Sequence, residues 1–255
     1  MKILEVLNLS KSFKDPNGNK LKVLKDISFK MNKGDVLGIV GESGSGKTTL
    51  GRAILRLIEI DSGSILYNNI NITNFSKTKM KVLRKDIQVI FQDPFGSLNP
   101  RHSIKTILSE PLVVHKFGNA IKIQRRISEL LDQVGLPKNS LELYPHEFSG
   151  GQRQRIAIAR ALSLKPKFIV ADEAVSALDV SIQSQIINLI SKILKDYGLS
   201  MIFISHDLSV IKHISNKIAV MKKGEIVEIG DTIKTLKNPK HNYTRMLISS
   251  VPGMK

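Results

Sequence analysis

The sequence predicts an α/β fold: a mostly parallel sheet with helices between its strands, a β-hairpin at the start and a helical subdomain set into the middle. Three observations predict it. The runs 35–40, 168–171 and 201–204 are short, apolar and rich in Val, Ile and Phe, as buried strands are. Each stands close to a stretch of helical periodicity. From 103 to about 164 the pattern is helical throughout.

The elements follow in order. Residues 2–13 and 20–31 read as strands, and Asp15-Pro16-Asn17-Gly18-Asn19 between them is a dense turn signal, so a hairpin is expected. Strand 35–40 leads to a helix over 47–58, with Leu50, Ile54, Leu57 and Ile58 on one side. Residues 64–67 and 86–91 read as further strands. The helical middle is broken at Gly118, at Gly135-Leu136-Pro137 and at Tyr144-Pro145. Strand 168–171, helix 180–196, strand 201–204 and helix 208–214 complete the alternation. The expected organisation is one domain over 1–255, with a core at about 1–92 and 165–255 and a helical subdomain at about 93–164. No internal repeat or low-complexity segment interrupts it.

Composition narrows the chemistry. The chain has 255 residues, of which 42% are hydrophobic, so disorder throughout is excluded. Cysteine is absent, which removes disulfides, Cys-based zinc sites, iron–sulfur clusters and thiol catalysis. The formal net charge of +17 favours anionic partners: nucleotides, nucleic acid or an acidic membrane face. The abundance of Lys, Ile and Asn is equally what AT-biased coding produces, and composition does not separate the two. No stretch approaches the ~20 apolar residues of a membrane span. The start, Met1-Lys2-Ile3-Leu4-Glu5, meets an acid at once and lacks the apolar core of a secretory signal. A cytoplasmic protein is expected, so a role at a membrane would need another chain to cross the bilayer.

Gly41-Glu42-Ser43-Gly44-Ser45-Gly46-Lys47-Thr48 matches the phosphate-loop pattern G-x-x-x-x-G-K-[ST], after a buried strand and before a helix. Glycines let backbone N–H groups close around phosphates, and the helix N-terminus adds partial positive charge there. Lys47 can reach the β- and γ-phosphates, and Thr48 can offer its hydroxyl to Mg²⁺, with Thr49 beside it. An incidental Gly/Ser loop is the alternative.

Phe168-Ile169-Val170-Ala171-Asp172-Glu173 is an apolar strand ending in two carboxylates. In phosphate-loop ATPases the first acid, here Asp172, assists Mg²⁺. The second, Glu173, can take a proton from an attacking water, and phosphate charge nearby would raise its pKa and make it a better base. A solvated strand-end acidic pair is the reading when no phosphate loop precedes it.

Five motifs in one order carry a family resemblance. Phe148-Ser149-Gly150-Gly151-Gln152-Arg153-Gln154-Arg155 resembles the signature of ABC-transporter ATPases. Gln92 after Ile90-Phe91 resembles their Q-loop, Ser176-Ala177-Leu178-Asp179 their D-loop, and Ser205-His206-Asp207 their switch-histidine loop. Phe13 stands where the family places an aromatic ring against adenine, although it could simply be hairpin core. Phe148 departs from the usual Leu, and Ala174-Val175 from the usual Pro-Thr; neither removes a catalytic group.

The resemblance implies a phosphate-loop NTPase with a RecA-like core, an N-terminal antiparallel β subdomain and an inserted helical subdomain. It implies ATP and Mg²⁺ as ligands. Lys47, Gln92, Glu173 and His206 are the implied catalytic residues, with Thr48, Gln92 and Asp172 around the metal. Nucleotide contacts are implied for Phe13, Gly41, Glu42, Ser43, Gly44, Ser45, Gly46, Lys47, Thr48 and Thr49. Across a head-to-tail dimer, Ser149, Gly150, Gly151, Gln152 and Asp179 would close on ATP held by the opposing ATPase subunit. The helix after Ser149 contains Arg153, Arg155 and Arg160, a second N-terminus suited to a phosphate.

Two stretches resemble one branch of the family, the oligopeptide, dipeptide and nickel importer ATPases, in particular their second ATPase subunit. They are the segment Gln92-Asp93-Pro94-Phe95-Gly96-Ser97-Leu98-Asn99-Pro100-Arg101 and the tail Asn238-Pro239-Lys240-His241-Asn242-Tyr243-Thr244-Arg245, followed by Val251-Pro252. Ala174-Val175-Ser176-Ala177-Leu178-Asp179-Val180-Ser181-Ile182-Gln183 is also typical of that branch. The implied partners are a second ATPase subunit, two transmembrane permease subunits and an extracytoplasmic solute-binding protein, with the chain peripheral on the cytoplasmic face of the inner membrane. No nucleic acid is expected. The alternative is a soluble ABC ATPase acting on nucleic acid or ribosomes. The +17 charge favours it; the single cassette and the lack of a long heptad run count against it.

Overall fold

The strand-like residues of Lys2–Lys14 (β1) pair antiparallel with Lys20–Asn32 (β2), setting Leu4 opposite Met31 and Val6 opposite Phe29. These four side chains are buried; β2 alternates buried and exposed residues from Ile27 to Met31, whereas residues 3–6 of β1 are buried on both faces. In this computed structural model residues 1–16 and 18–251 are described, with the backbone alone at Pro94 and Phe95. Asn17 of the expected turn and Pro252 of the C-terminal motif lie outside the described residues.

The chain divides into two compact units. The first holds residues 1–82 and those from 198 onward; the second holds 83–197.

In the first unit the hairpin is extended by Ser62–Tyr67 (β4) and Ile70–Asn71 (β5) into an antiparallel sheet of order β2-β1-β4-β5. A second sheet is centred on Val36–Val40 (β3), whose five residues are all buried. Ser200–Ile204 (β8) and Lys217–Lys222 (β9) flank β3 in parallel, and Glu225–Asp231 (β10) adds antiparallel to β9. Strands covered on both faces read as unbroken apolar runs, which is why β3 and β8 are visible in the sequence.

Lys47–Ile54 (α1) follows β3, and Leu208–Ile214 (α8) follows β8. The helix expected over 47–58 is shorter than its periodicity suggests. Leu55 is its C-cap, and Arg56 turns into the left-handed region at φ 53°. Leu57 is exposed, so its apolar spacing did not mark a core position. Lys77–Leu83 (α2), Thr232–Lys237 (α9) and Asn242–Ser249 (α10) are additional helices. Asp231 caps α9 by accepting the Lys234 N–H at 2.9 Å.

In the second unit Ile87–Ile90 (β6) runs parallel to Phe168–Asp172 (β7), with Ile90 opposite Ala171. The short Pro94–Ser97 (α3) precedes Ile104–Val114 (α4), Ala120–Val134 (α5) and Gly150–Leu162 (α6). Val180–Tyr197 (α7) follows β7. The expected breaks are real: Lys116 is left-handed at φ 51°, Gly135 is a left-handed C-cap, and Tyr144 opens a 3₁₀ turn. Ser103, Asn119 and Ser149 cap the three helices with their side-chain oxygens. Buried Arg126 donates to the Leu162 and Ser163 carbonyls at 2.7 and 3.1 Å, satisfying the end of α6.

Candidate functional site

The loop from Gly41 to Gly46 leaves the end of β3 and enters α1, so its geometry is set by a rigid strand on one side and a helix on the other. Gly46 is the N-cap at φ 100°, a conformation that a side chain would strain. At the other end a Cβ on Gly41 would lie 2.2 Å from the Met221 carbonyl oxygen, so only glycine lets the loop pass β9 this closely.

Lys47 is buried at 4% exposure, and its Nζ donates to the Gly41 and Glu42 carbonyls at 2.8 and 2.9 Å. Its positive charge is therefore held against the loop rather than extended into solvent. Ser45 is also buried, and its Oγ has no hydrogen-bond partner among the described residues. An orphaned hydroxyl beside a lysine and the open N-terminus of a helix is a donor set matched to phosphate oxygens. Glu42, Ser43 and Gly44 are exposed along the loop, while Thr48 and Thr49 are half-buried in the first turn of α1. The residues present thus fit a nucleotide's phosphates.

The same unit carries Phe13 and His206. Phe13 is 42% exposed, with Lys11 Nζ 5.3 Å from its ring centroid, so it is no part of the hairpin core. His206 is exposed between β8 and α8, in a turn where Ser205 Oγ accepts the Asp207 N–H and Asp207 caps α8.

In the second unit β7 ends at buried Asp172, and Glu173 follows at φ 47°. Gln92 Nε2 donates to Glu173 Oε2 at 3.0 Å, joining two residues that the sequence singled out separately. The backbone N–H and Oγ of Ser176 both donate to the Glu173 carbonyl, at 3.1 and 3.0 Å, which holds the turn. Asp179 is exposed at the start of α7. In this unit Gln92 and Asp172 offer an amide and a carboxylate, and in the first unit Thr48 offers a hydroxyl; each by itself is a hard oxygen donor of the kind Mg²⁺ uses alongside substrate phosphates. No group of three His, Cys, Asp or Glu side chains suited to a protein-only metal cage occurs among the described residues.

Ser149 and Gln152 form a reciprocal capping box at the start of α6: Ser149 Oγ accepts the Gln152 N–H at 3.3 Å, and Gln152 Oε1 accepts the Ser149 N–H at 3.0 Å. Both side chains remain exposed. The arginines of this helix donate to backbone carbonyls of neighbouring segments. Arg153 donates to the Pro145 and His146 carbonyls, Arg155 to that of Val134, and Arg160 to that of Ser97. Burial lowers the Arg160 pKa from its ordinary value. The positive character of this terminus is therefore that of backbone N–H groups.

One contact on the phosphate loop had no signal in the motifs assigned to nucleotide chemistry. The backbone N–H of Glu42 donates to Tyr243 Oη at 3.2 Å. Tyr243 was visible only as part of the C-terminal stretch that marks a branch of the family.

The ABC transporter family profile matches residues 24–176. The oligopeptide transport ATP-binding protein OppF of Streptococcus mutans is 50% identical over 252 residues, which span 98% of this chain and 82% of that protein. The glutathione import ATP-binding protein GsiA of Escherichia coli is 49% identical over 256 residues, 98% of this chain and 41% of that one. A solved dimeric ATP-binding cassette, in a post-hydrolysis state with ADP and Pi, superposes with a TM-score of 0.81. It is 27% identical, over 90% of this chain and 99% of that one.

Proposed function

The chain belongs to the ABC transporter family, and from that premise we propose that it is the ATP-hydrolysing subunit of a peptide importer. What carries the importer reading is the 50% identity to an oligopeptide transport ATP-binding protein along 98% of the chain. The geometry supports the ATPase chemistry, with a buried lysine and an orphaned serine hydroxyl on a phosphate loop, and a glutamate held by a glutamine.

Phosphoryl transfer needs positioning and charge neutralisation more than covalent help. Lys47, Ser45 and the N–H groups of Gly41 to Thr48 bind the β- and γ-phosphates. Bound Mg²⁺, held by Thr48, Asp172 and Gln92, would neutralise phosphate charge. Glu173 accepts the proton of the attacking water, and Gln92 fixes the carboxylate that does so. His206 contacts the γ-phosphate and reports its presence. Phe13 offers a ring to adenine.

Ser149, Gly150, Gly151 and Gln152, with Asp179, act on ATP bound by a second ATPase subunit, so neither subunit completes a site alone. Closure of that dimer would move two permease subunits between inward and outward access. The helical stretch 93–164 is the part that grips them, and a solute-binding protein delivers the peptide. Among the described residues no helix is long and apolar enough to cross a membrane, which suits peripheral attachment at the cytoplasmic face of the inner membrane.

Co-expression with the permeases and a second ATPase subunit, followed by reconstitution into vesicles, tests the reading. Peptide uptake that requires ATP on the side of this subunit is the expected result. ATP hydrolysis indifferent to permeases and peptide would overturn the importer assignment.

A further inference from the structure

The C-terminal stretch Asn238-Pro239-Lys240-His241-Asn242-Tyr243-Thr244-Arg245 folds on itself before it touches anything else. Arg245 Nε and Nη2 donate to the Pro239 and Lys240 carbonyls at 3.1 and 3.3 Å. His241 Nδ1 accepts the Tyr243 N–H at 3.1 Å and caps α10. The Glu228 carboxylate on β10 accepts the N–H groups of Lys240 and His241 at 2.9 and 3.0 Å. These bonds anchor the stretch to the sheet and fix the direction of the next side chain.

That side chain is Tyr243, 3% exposed, with Lys222 Nζ 4.7 Å from its ring centroid. Lys222 ends β9, next to Met221, whose carbonyl lies against Gly41. The ring thus reaches the phosphate loop along the end of β9, and its hydroxyl oxygen takes the Glu42 N–H at 3.2 Å. Burial raises the Tyr243 pKa, and the Glu42 carboxylate nearby adds to the rise, so the phenol stays protonated.

A buried hydroxyl oxygen that accepts a backbone N–H holds that peptide unit in one orientation. Glu42 is the first residue after Gly41, and Lys47 Nζ bonds to the carbonyls of both. We propose that Tyr243 is a positioning residue for the nucleotide: through the Glu42 amide it holds the entrance of the phosphate loop in its binding shape, so that the C-terminal stretch sets the affinity for ATP. The proposal rests on the reading that residues 41–48 hold the phosphates. Pre-forming a loop removes an ordering cost from binding, so the effect falls on affinity and KM more than on the chemical step.

Tyr243→Phe keeps the ring and its contact with Lys222 and deletes the oxygen. In the nucleotide-free full chain, hydrogen–deuterium exchange of a peptide spanning 41–46 should accelerate about three- to tenfold, the size of one lost hydrogen bond. The Kd for MgATP should rise by a similar factor. In the assembled transporter the KM for ATP should rise while kcat holds. Unchanged exchange at the loop, or faster exchange with an unchanged Kd, overturns the proposal. Should Tyr243→Phe fail to fold, Arg245→Ala unwraps the stretch from its far side with Tyr243 in place. It too should speed exchange at 41–46, and unaltered exchange would count against the latch. Lys47→Ala separates the two readings: if it binds MgATP as wild type does, the phosphate-loop reading fails, whatever exchange shows.

Discussion

Gln92 Nε2 donates to Glu173 Oε2 across 3.0 Å, so an amide at the end of one strand fixes a carboxylate at the end of its parallel neighbour. Glu173 adopts φ 47°, a region that residues with a Cβ occupy at a cost, and backbone strain of this kind gathers at functional sites. Glu173→Gln keeps size and backbone demand but cannot take a proton. It should retain MgATP binding and lower phosphate release about 10²- to 10⁴-fold, the range for losing a general base. Phosphate release by the assembled transporter, beside equilibrium nucleotide binding, measures both. Undiminished turnover would remove Glu173 from the mechanism.

Lys47→Ala tests the loop itself. The change removes the charge-assisted donor proposed for phosphate and also the two bonds to the Gly41 and Glu42 carbonyls. MgATP affinity should fall at least tenfold, because hydrogen bonds to charged groups are worth about 1.5–3 kcal/mol. Stability should also drop, by about 1–3 kcal/mol if the two carbonyls stay dry. Titration calorimetry and thermal melts separate the two losses.

The parts legible in the sequence were those set by local chemistry. Strands β3 and β7 announce themselves as buried apolar runs, and the capping box at Ser149 and Gln152 is written in residue type and spacing. Other features depend on distant partners. The end of α1 is a left-handed Arg56, not the glycine that usually marks such a turn, so Leu57 and Ile58 extended the helix on paper. Residue type alone does not say where the arginines of α6 direct their donors, and Arg153, Arg155 and Arg160 donate to carbonyls of neighbouring segments. Side-chain direction after the first turn of a helix is a tertiary fact. Tyr243 is 201 residues from Glu42, and no local pattern joins them.

The two glycines of the signature should behave differently. A Cβ on Gly151 would sit 2.5 Å from Ile182 Cγ2, whereas one on Gly150 would meet Leu178 Cδ2 at an ordinary 3.5 Å. Gly151→Ala should destabilise the chain by about 1–3 kcal/mol through overpacking between α6 and α7. Gly150→Ala should leave stability unchanged or slightly raised, since alanine suits a helix better than glycine. Under the proposed head-to-tail pairing, any loss of ATPase activity in Gly150→Ala would then report on the nucleotide of a second subunit. Denaturant unfolding of the two variants tests the contrast, and equal destabilisation would contradict it.

Glu228 should make stability depend on acid. Burial pushes its pKa up, but the N–H of Lys240, the Thr244 side chain and the N–H and charge of His241 outweigh burial and hold it below the ordinary 4.5. A folded pKa lower than the unfolded one means that the ionised carboxylate stabilises the fold. That contribution is complete above pH 4.5 and is lost as pH falls through the lowered folded value. Glu228→Gln keeps the size of the side chain and removes the titration. Thermal midpoints of wild type and variant, followed by circular dichroism between about pH 3 and 7, should differ most at the neutral end and converge below pH 4.5. A gap that stays constant across that range would show that Glu228 acts by shape and not by charge. If the gap closes as expected, the carboxylate that holds Lys240 and His241 in place is also what ties Tyr243 to the sheet. Exchange at the 41–46 loop should then quicken, beyond its intrinsic pH dependence, over the same acid range in wild type and not in Glu228→Gln.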